Sequence, residues 1–173
     1  IKFAQRYFFL LFLYLFIGYS FESFFLFLES LKIILMNKIT RILTVVVTCL
    51  AIGYFSSAVT KAAILDWYPT LVKPSFNPPN WVFAPVWSLL YVMMGVAAGL
   101  VWDKIEWNRP IVKKALTLFA IQLALNALWS YLFFGLHNPF LAGIEIVLLW
   151  LMIYETYLQF AKINKMAGYL LLP

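Results

Sequence analysis

Apolar residues along this chain fall in long runs separated by short polar or proline-rich breaks. The runs cover about Tyr7–Leu28, Ile42–Ala63, Trp81–Trp102, Ile111–Phe134 and Phe140–Ala161, and a further stretch begins at about Ala167. A helix needs about 20 residues to cross the hydrocarbon layer, whereas a barrel strand needs only about 10, with alternating polarity. Run length therefore predicts an all-α integral membrane protein, a five-helix bundle whose fifth helix is cut short at Pro173. The chain starts at Ile1, and Met36 precedes a short basic lead (Lys38, Arg41) and a clean span. Residues 1–35 are accordingly expected to be a hydrophobic N-terminal extension, whether a spurious one upstream of a true start at Met36, a signal-like segment or an extra helix, ahead of a transmembrane domain over 36–173.

The breaks carry their own signals. Between Asp66 and Asn80 lie Pro69, Pro74, Pro78 and Pro79, which forbid a continuous helix and stiffen the loop. Asn80 is placed to cap the helix that follows, and Pro85 falls near the end of its first turn. Gly135-Leu136-His137-Asn138-Pro139 reads as a tight turn, with Asn138 as cap and Pro139 as the first helical residue of the next span.

Composition agrees with this pattern. Apolar residues make up 65% of the chain, charged residues 12%, and mean hydropathy is +0.91. A soluble domain carries about 25% charged residues, so half that share leaves too little to cover a surface with water-seeking groups. The net charge of +6 does not point to nucleic acid, because Lys and Arg sit at span ends. Lys32, Lys38, Arg41, Lys104, Arg109, Lys113, Lys114, Lys162 and Lys165 fall on one side of the bundle, against Lys61 and Lys73 on the other, with the side of Lys2 and Arg6 depending on the first run. That bias places the Met36 end in the cytoplasm and the proline-rich loop outside. One Cys (Cys49) and one His (His137) exclude an internal disulfide and a multi-ligand Cys/His metal site. No nucleotide-binding loop, zinc-protease motif or nucleophile elbow is present. His137 reads as an interfacial polar residue in a turn, with axial haem ligation as the alternative.

Small residues at Gly95 and Gly99, and at Ala120 and Ala124, have the spacing that lets helix backbones approach closely. Polar residues inside spans are costly in hydrocarbon and are candidates for function. Gln122, Asn126 and Trp129 share one helical face, with Ser130 beside it; Glu145 lies in the next span, and Ser56, Ser57 and Thr60 interrupt the first. They fit either interhelical hydrogen bonds or the polar wall of a cavity. Phe83, Trp87 and Tyr91 stack at one-turn intervals, and Trp87 lies about 9 Å deeper than Trp81, too deep for an interfacial belt. A buried indole needs a partner for its N–H, which Asn126 would supply. Core packing and a flat aromatic cavity both fit this face, and the cavity would suit a planar hydrophobic ligand.

Three blocks of residues resemble the translocator protein family, also called the TspO/MBR, tryptophan-rich sensory or peripheral-type benzodiazepine receptor family. The first is Trp67-Tyr68, Leu71-Val72-Lys73-Pro74, Pro78-Pro79-Asn80-Trp81-Val82-Phe83-Ala84-Pro85-Val86-Trp87, Leu90-Tyr91 and Met94-Gly95. The second is Gln122 to Asn126 with Trp129 and Phe133-Phe134-Gly135, and the third is Gly168 to Pro173. The resemblance spans about Ile42 to Pro173, with the blocks in order.

It implies a five-helix bundle, commonly a homodimer, that binds porphyrins (haem among them, as ligand rather than cofactor) and other flat hydrophobic molecules near the first loop. By matching positions, the ligand would meet Trp87, Phe83, Ala84, Tyr91 and Asn126, with Ser57 and Thr60 of the first core helix and Leu141, Ile144 and Leu148 of the fourth. Trp67, Lys73, Pro74, Pro78 and Pro79 would belong to a lid loop. Two departures stand out. The family's second cavity tryptophan and the cholesterol-recognition segment of its eukaryotic members fall beyond Pro173, and Leu141 stands where some members carry another tryptophan. The expected function is a receptor or carrier of tetrapyrroles in a bacterial cell membrane, with a regulatory or stress-sensing role. The alternatives are a light-dependent porphyrin-degrading enzyme and a fragment of an unrelated multi-span transporter.

Overall fold

A computed structural model describes residues 37–173; the hydrophobic run expected over 1–35 lies outside the described residues. Four long helices follow one another: α1 (Lys38–Asp66), α2 (Phe83–Trp102), α3 (Arg109–Ser130) and α4 (Pro139–Ile163). A short helix, α5 (Lys165–Tyr169), closes the chain. The four long helices are sufficiently long and apolar to cross a membrane. This is the all-α bundle that the runs predict, with spans close to the expected bounds.

The helix starts show how local chemistry sets those bounds. Ile111 N–H donates to the Asn108 side chain at 3.2 Å, and Leu141 N–H donates to the Asn138 side chain at 3.0 Å. Each asparagine satisfies a backbone donor that a helix N-terminus leaves orphaned, and Pro110 and Pro139 sit where a missing N–H costs nothing. Asn164 does the same for α5, accepting from Met166 and Ala167. Asn80 does not cap as expected. It opens a 3₁₀ turn, Asn80–Val82, makes no side-chain cap bond, and α2 begins at Phe83. Pro79 before it is extended, so the chain enters the membrane through a tighter turn than a capped helix requires. Pro85 consequently lies within the first turn of α2, where it replaces no hydrogen bond. At the far end of α3 the chain widens into a π turn, Tyr131–Gly135, before His137 adopts a left-handed φ of 51°.

Small residues bring α1 and α2 together. A methyl group added at Gly95 would meet the Val46 Cα at 2.5 Å, and one at Gly99 would meet the Ile42 Cα at 2.5 Å. Only glycine permits this approach, as the spacing of the two suggests. Cys49, Ala97, Ala98 and Val101 are buried around the contact. The second small-residue pair behaves differently, since Ala120 and Ala124 face outward, away from the other described helices. On the inner face of α3, Phe119 stacks on Phe160 of α4 with centroids 5.8 Å apart. Arg41 donates from Nη1 to the Trp102 and Asp103 carbonyls at 3.5 and 3.4 Å, bringing a cation to the negative end of α2.

Candidate ligand cavity

The α1–α2 pair parts as it approaches the proline-rich loop. Tyr91 starts the opening: its ring lies where a Cβ on Gly53 would be, so glycine on α1 makes room for an aromatic on α2. Above this level lies a cavity of about 570 Å³. Its α1 wall is one helical face, running from Leu50 and Gly53 through Tyr54, Ser56, Ser57 and Thr60 to Lys61 and Ile64. The α2 wall is Phe83, Ala84, Trp87, Ser88 and Tyr91, and the end of α3 adds Trp129, Ser130 and Phe134. The size falls within the range of small-molecule sites, which span roughly 300–1,000 Å³.

The structure brings Phe83, Ala84, Trp87, Tyr91, Ser57 and Thr60 to this one cavity. Trp87 is 37% exposed because it faces the open space, and its ring lies 6.2 Å from that of Tyr91, tilted by 37°. Asn126 stands behind the wall rather than in it. It accepts a 2.7 Å hydrogen bond from the Tyr91 hydroxyl, not from the Trp87 indole as expected. Tyr91 is one turn further along α2 and is buried, whereas Trp87 is open to the cavity. Gln122 is buried one turn below Asn126 and donates to the Met94 sulfur at 3.7 Å. The polar face of α3 thus divides: Gln122 and Asn126 join helices, while Trp129 lines the cavity.

Leu141, Ile144 and Leu148 stand apart from this wall. They are 42–52% exposed along the outer face of α4, while its inner face presents Ala142, Glu145 and Leu149 to the bundle. The spacing of the three leaves their face open to either side of α4, and the packing of Ala142 and Leu149 turns it outward. Glu145 is buried, does not line the cavity, and has no hydrogen-bond partner for either carboxyl oxygen among the described residues.

The loop above is built from its own side chains. The Tyr68 hydroxyl donates to Asn77 Oδ1 at 2.9 Å, and Lys73 donates from Nζ to the Tyr68 carbonyl at 2.6 Å. Pro74, Pro78 and Pro79 are exposed along it. Trp67 turns away from the cavity: it stacks on His137 at 4.5 Å and meets Phe133 edge-on at 5.3 Å. Phe133 in turn stacks on Trp129 at 5.0 Å, so aromatic rings run without a break from the loop to the cavity wall. His137 thus joins loop and turn by stacking on Trp67.

Tyr54 and Lys61 are wall residues that the sequence reading leaves out, whereas Trp129 and Ser130 lie on the face it offers as a possible cavity wall and Phe134 lies in the second family block. The α1 members share the helical face of Ser57 and Thr60, and Trp129 lies on the face of Asn126, so helical spacing alone contains the signal. The hydroxyls of Ser57, Thr60 and Ser88 already donate to the carbonyls of Tyr54, Ser56 and Ala84, at 2.7, 3.3 and 2.8 Å. They turn lone pairs, not protons, toward a ligand.

A membrane-spanning helical bundle with a mainly apolar, aromatic cavity beneath a proline-rich loop is the class of protein this geometry defines. Its sequence places it more closely: residues 44–173 match the TspO/MBR family, and the chain belongs to it. It is 45% identical over 141 residues to the tryptophan-rich protein TspO of Chlorobaculum tepidum, covering 80% of this chain and 87% of that one. It is 35% identical over 121 residues to the translocator protein of Sus scrofa, covering 70% and 72% of the two chains. With the tryptophan-rich sensory protein of Cereibacter sphaeroides it shares 37% identity over 117 residues, covering 66% and 71%. Family membership removes the reading as a fragment of an unrelated transporter.

Proposed function

We propose that this protein is a membrane receptor or carrier for porphyrins and related flat hydrophobic ligands, with a regulatory or sensing role. The observation that carries the reading is the cavity wall, in which Phe83, Trp87, Tyr91, Trp129 and Phe134 surround about 570 Å³ with a few hydroxyls and one cation among them. Aromatic faces bind a planar π-system by stacking, and sparse polar groups fix its orientation. The names of its relatives, a translocator protein and a tryptophan-rich sensory protein, suit such a role. The loop from Trp67 through Lys73, Pro74, Pro78 and Pro79 acts as the lid of this site. The basic residues near the start of α1, between α2 and α3 and around the end of α4 support a cytoplasmic Met36 end in a bacterial cell membrane. The working unit is a homodimer.

Porphyrin titration of the full chain in detergent, read by tryptophan emission, tests the ligand class. Quenching should saturate, and Trp87→Ala should weaken it. Equal quenching of the variant and the parent would remove the cavity from the explanation.

A further inference from the structure

Among the described residues, the cavity wall carries one charged side chain, Lys61, and no carboxylate. Ile42 against Gly99, Val46 against Gly95 and Gly53 against Tyr91 set the antiparallel register of α1 and α2. That register places Lys61 level with Phe83, at the loop end of the cavity. The ammonium stands 5.9 Å from the Tyr54 ring centroid, at the outer limit of a cation–π contact, so that contact holds it weakly. Lys73, the other lysine on this side among the described residues, is committed: its ammonium donates to the Tyr68 carbonyl at 2.6 Å and sits 4.2 Å over the Tyr68 ring. The hydroxyls of Ser57, Thr60 and Ser88 have spent their protons on helix carbonyls.

An anionic group entering an apolar cavity needs a positive partner, because leaving it unpaired away from water is costly. The neutral hydroxyls and indoles of the wall can at most lend a hydrogen bond, whereas Lys61 brings a positive charge. A lysine stem lies along apolar surface while its head reaches the water interface, which is the geometry of an anchor at a mouth. We infer that Lys61 pairs with a carboxylate on the ligand, so that the cavity prefers flat ligands with an acidic edge over their neutral counterparts. The acidic edge faces the loop and the ring face lies deeper, against Trp87. This inference rests on the flat-ligand reading above and adds the residue that meets the acidic edge of such a ligand and its direction of entry.

Mesoporphyrin IX carries two carboxylates, and its dimethyl ester has the same ring with none, so the two probes isolate the charge. Each is titrated into the full chain in detergent, and the ratio of their dissociation constants is compared among variants. The acid should bind about tenfold tighter than the ester, the scale of one charge-assisted pair at a partly wet site. Lys61→Gln should collapse that preference while leaving ester binding within about twofold, and Lys61→Arg should retain it. Lys104→Gln, at an exposed lysine outside the cavity, should leave the ratio unchanged. An acid-to-ester ratio that survives Lys61→Gln overturns the anchor and leaves the cavity reading standing, provided Trp87→Ala still weakens ester quenching. An equal collapse in Lys104→Gln assigns the preference to general surface charge and overturns the anchor as well. If neither probe quenches in a Trp87-dependent way, the cavity reading falls and the anchor with it.

Discussion

The two halves of the α1–α2 pair use the same helices for opposite ends. Near the start of α1, glycines at 95 and 99 let the backbones touch, and alanines and valine fill the surroundings. Near the loop, the same helix pair carries Phe83, Trp87 and Tyr91 opposite serines and threonine, and a cavity separates the walls. In lipid, helices gain no hydrophobic advantage by associating, so close packing of small residues must hold the pair. The closed half therefore supports the open one. Large side chains on both walls would otherwise let the helices slide until the space filled.

Breaking the closed half should have the largest effect. Gly95→Val puts its branched side chain into the Val46 backbone, which cannot retreat without parting the helices. Overpacking of this kind costs roughly 3 kcal/mol. Thermal unfolding in detergent should shift far down or lose its cooperative transition, and porphyrin binding should disappear with it. A Gly95→Val protein with parental stability would mean that the helix contact is not what holds the cavity open.

The boundary between the halves is Tyr91, whose ring fills the gap over Gly53 and whose hydroxyl is tied to Asn126. Tyr91→Phe keeps the ring but leaves Asn126 Oδ1 without its partner, at a cost of about 1–2 kcal/mol for a buried acceptor. Asn126→Ala should cost a similar amount, and the double variant should fall well short of the sum, because both changes remove one bond. Additive losses in the melting experiment would show that the two side chains act separately.

In the open half, stability and binding should come apart. Trp87 is half open to the cavity, so Trp87→Ala should change unfolding by no more than about 0.5 kcal/mol. Porphyrin affinity should fall about tenfold, or roughly 1.4 kcal/mol, through loss of the stacking face. A variant that binds normally but melts early would make Trp87 a packing residue.

Much of this contrast is legible in the residues before any fold is known. Run length finds the four spans, Asn138-Pro139 marks a helix start, and the glycine spacing marks the close contact. Periodicity places Trp87 and Tyr91 on one face but cannot say which of them reaches across to Asn126, because that depends on helix rotation. The same limit applies to Ala120 and Ala124, whose spacing matches a packing motif but whose face turns outward. Asn80 carries a capping residue's chemistry, yet the extended Pro79 and the 3₁₀ turn after it delay the helix to Phe83. Rotation and entry geometry are set by neighbours, and a single strand of sequence holds them only indirectly.

The smallest expected effect decides between two versions of the wall. Motif correspondence brings Leu141, Ile144 and Leu148 of α4 to the ligand, whereas here they occupy an outer face 42–52% exposed. Ser57 and Trp129 instead line the cavity. If the outer face of α4 meets lipid, Leu148→Ala exchanges one apolar surface for a smaller one and should leave both melting and porphyrin affinity within about 0.5 kcal/mol of the parent. Trp129→Ala should weaken binding several-fold under the same conditions, since it removes an aromatic face from the wall. The opposite ranking, with Leu148→Ala the more damaging to affinity, would mean that ligand reaches α4. The wall would then have to be redrawn around that helix.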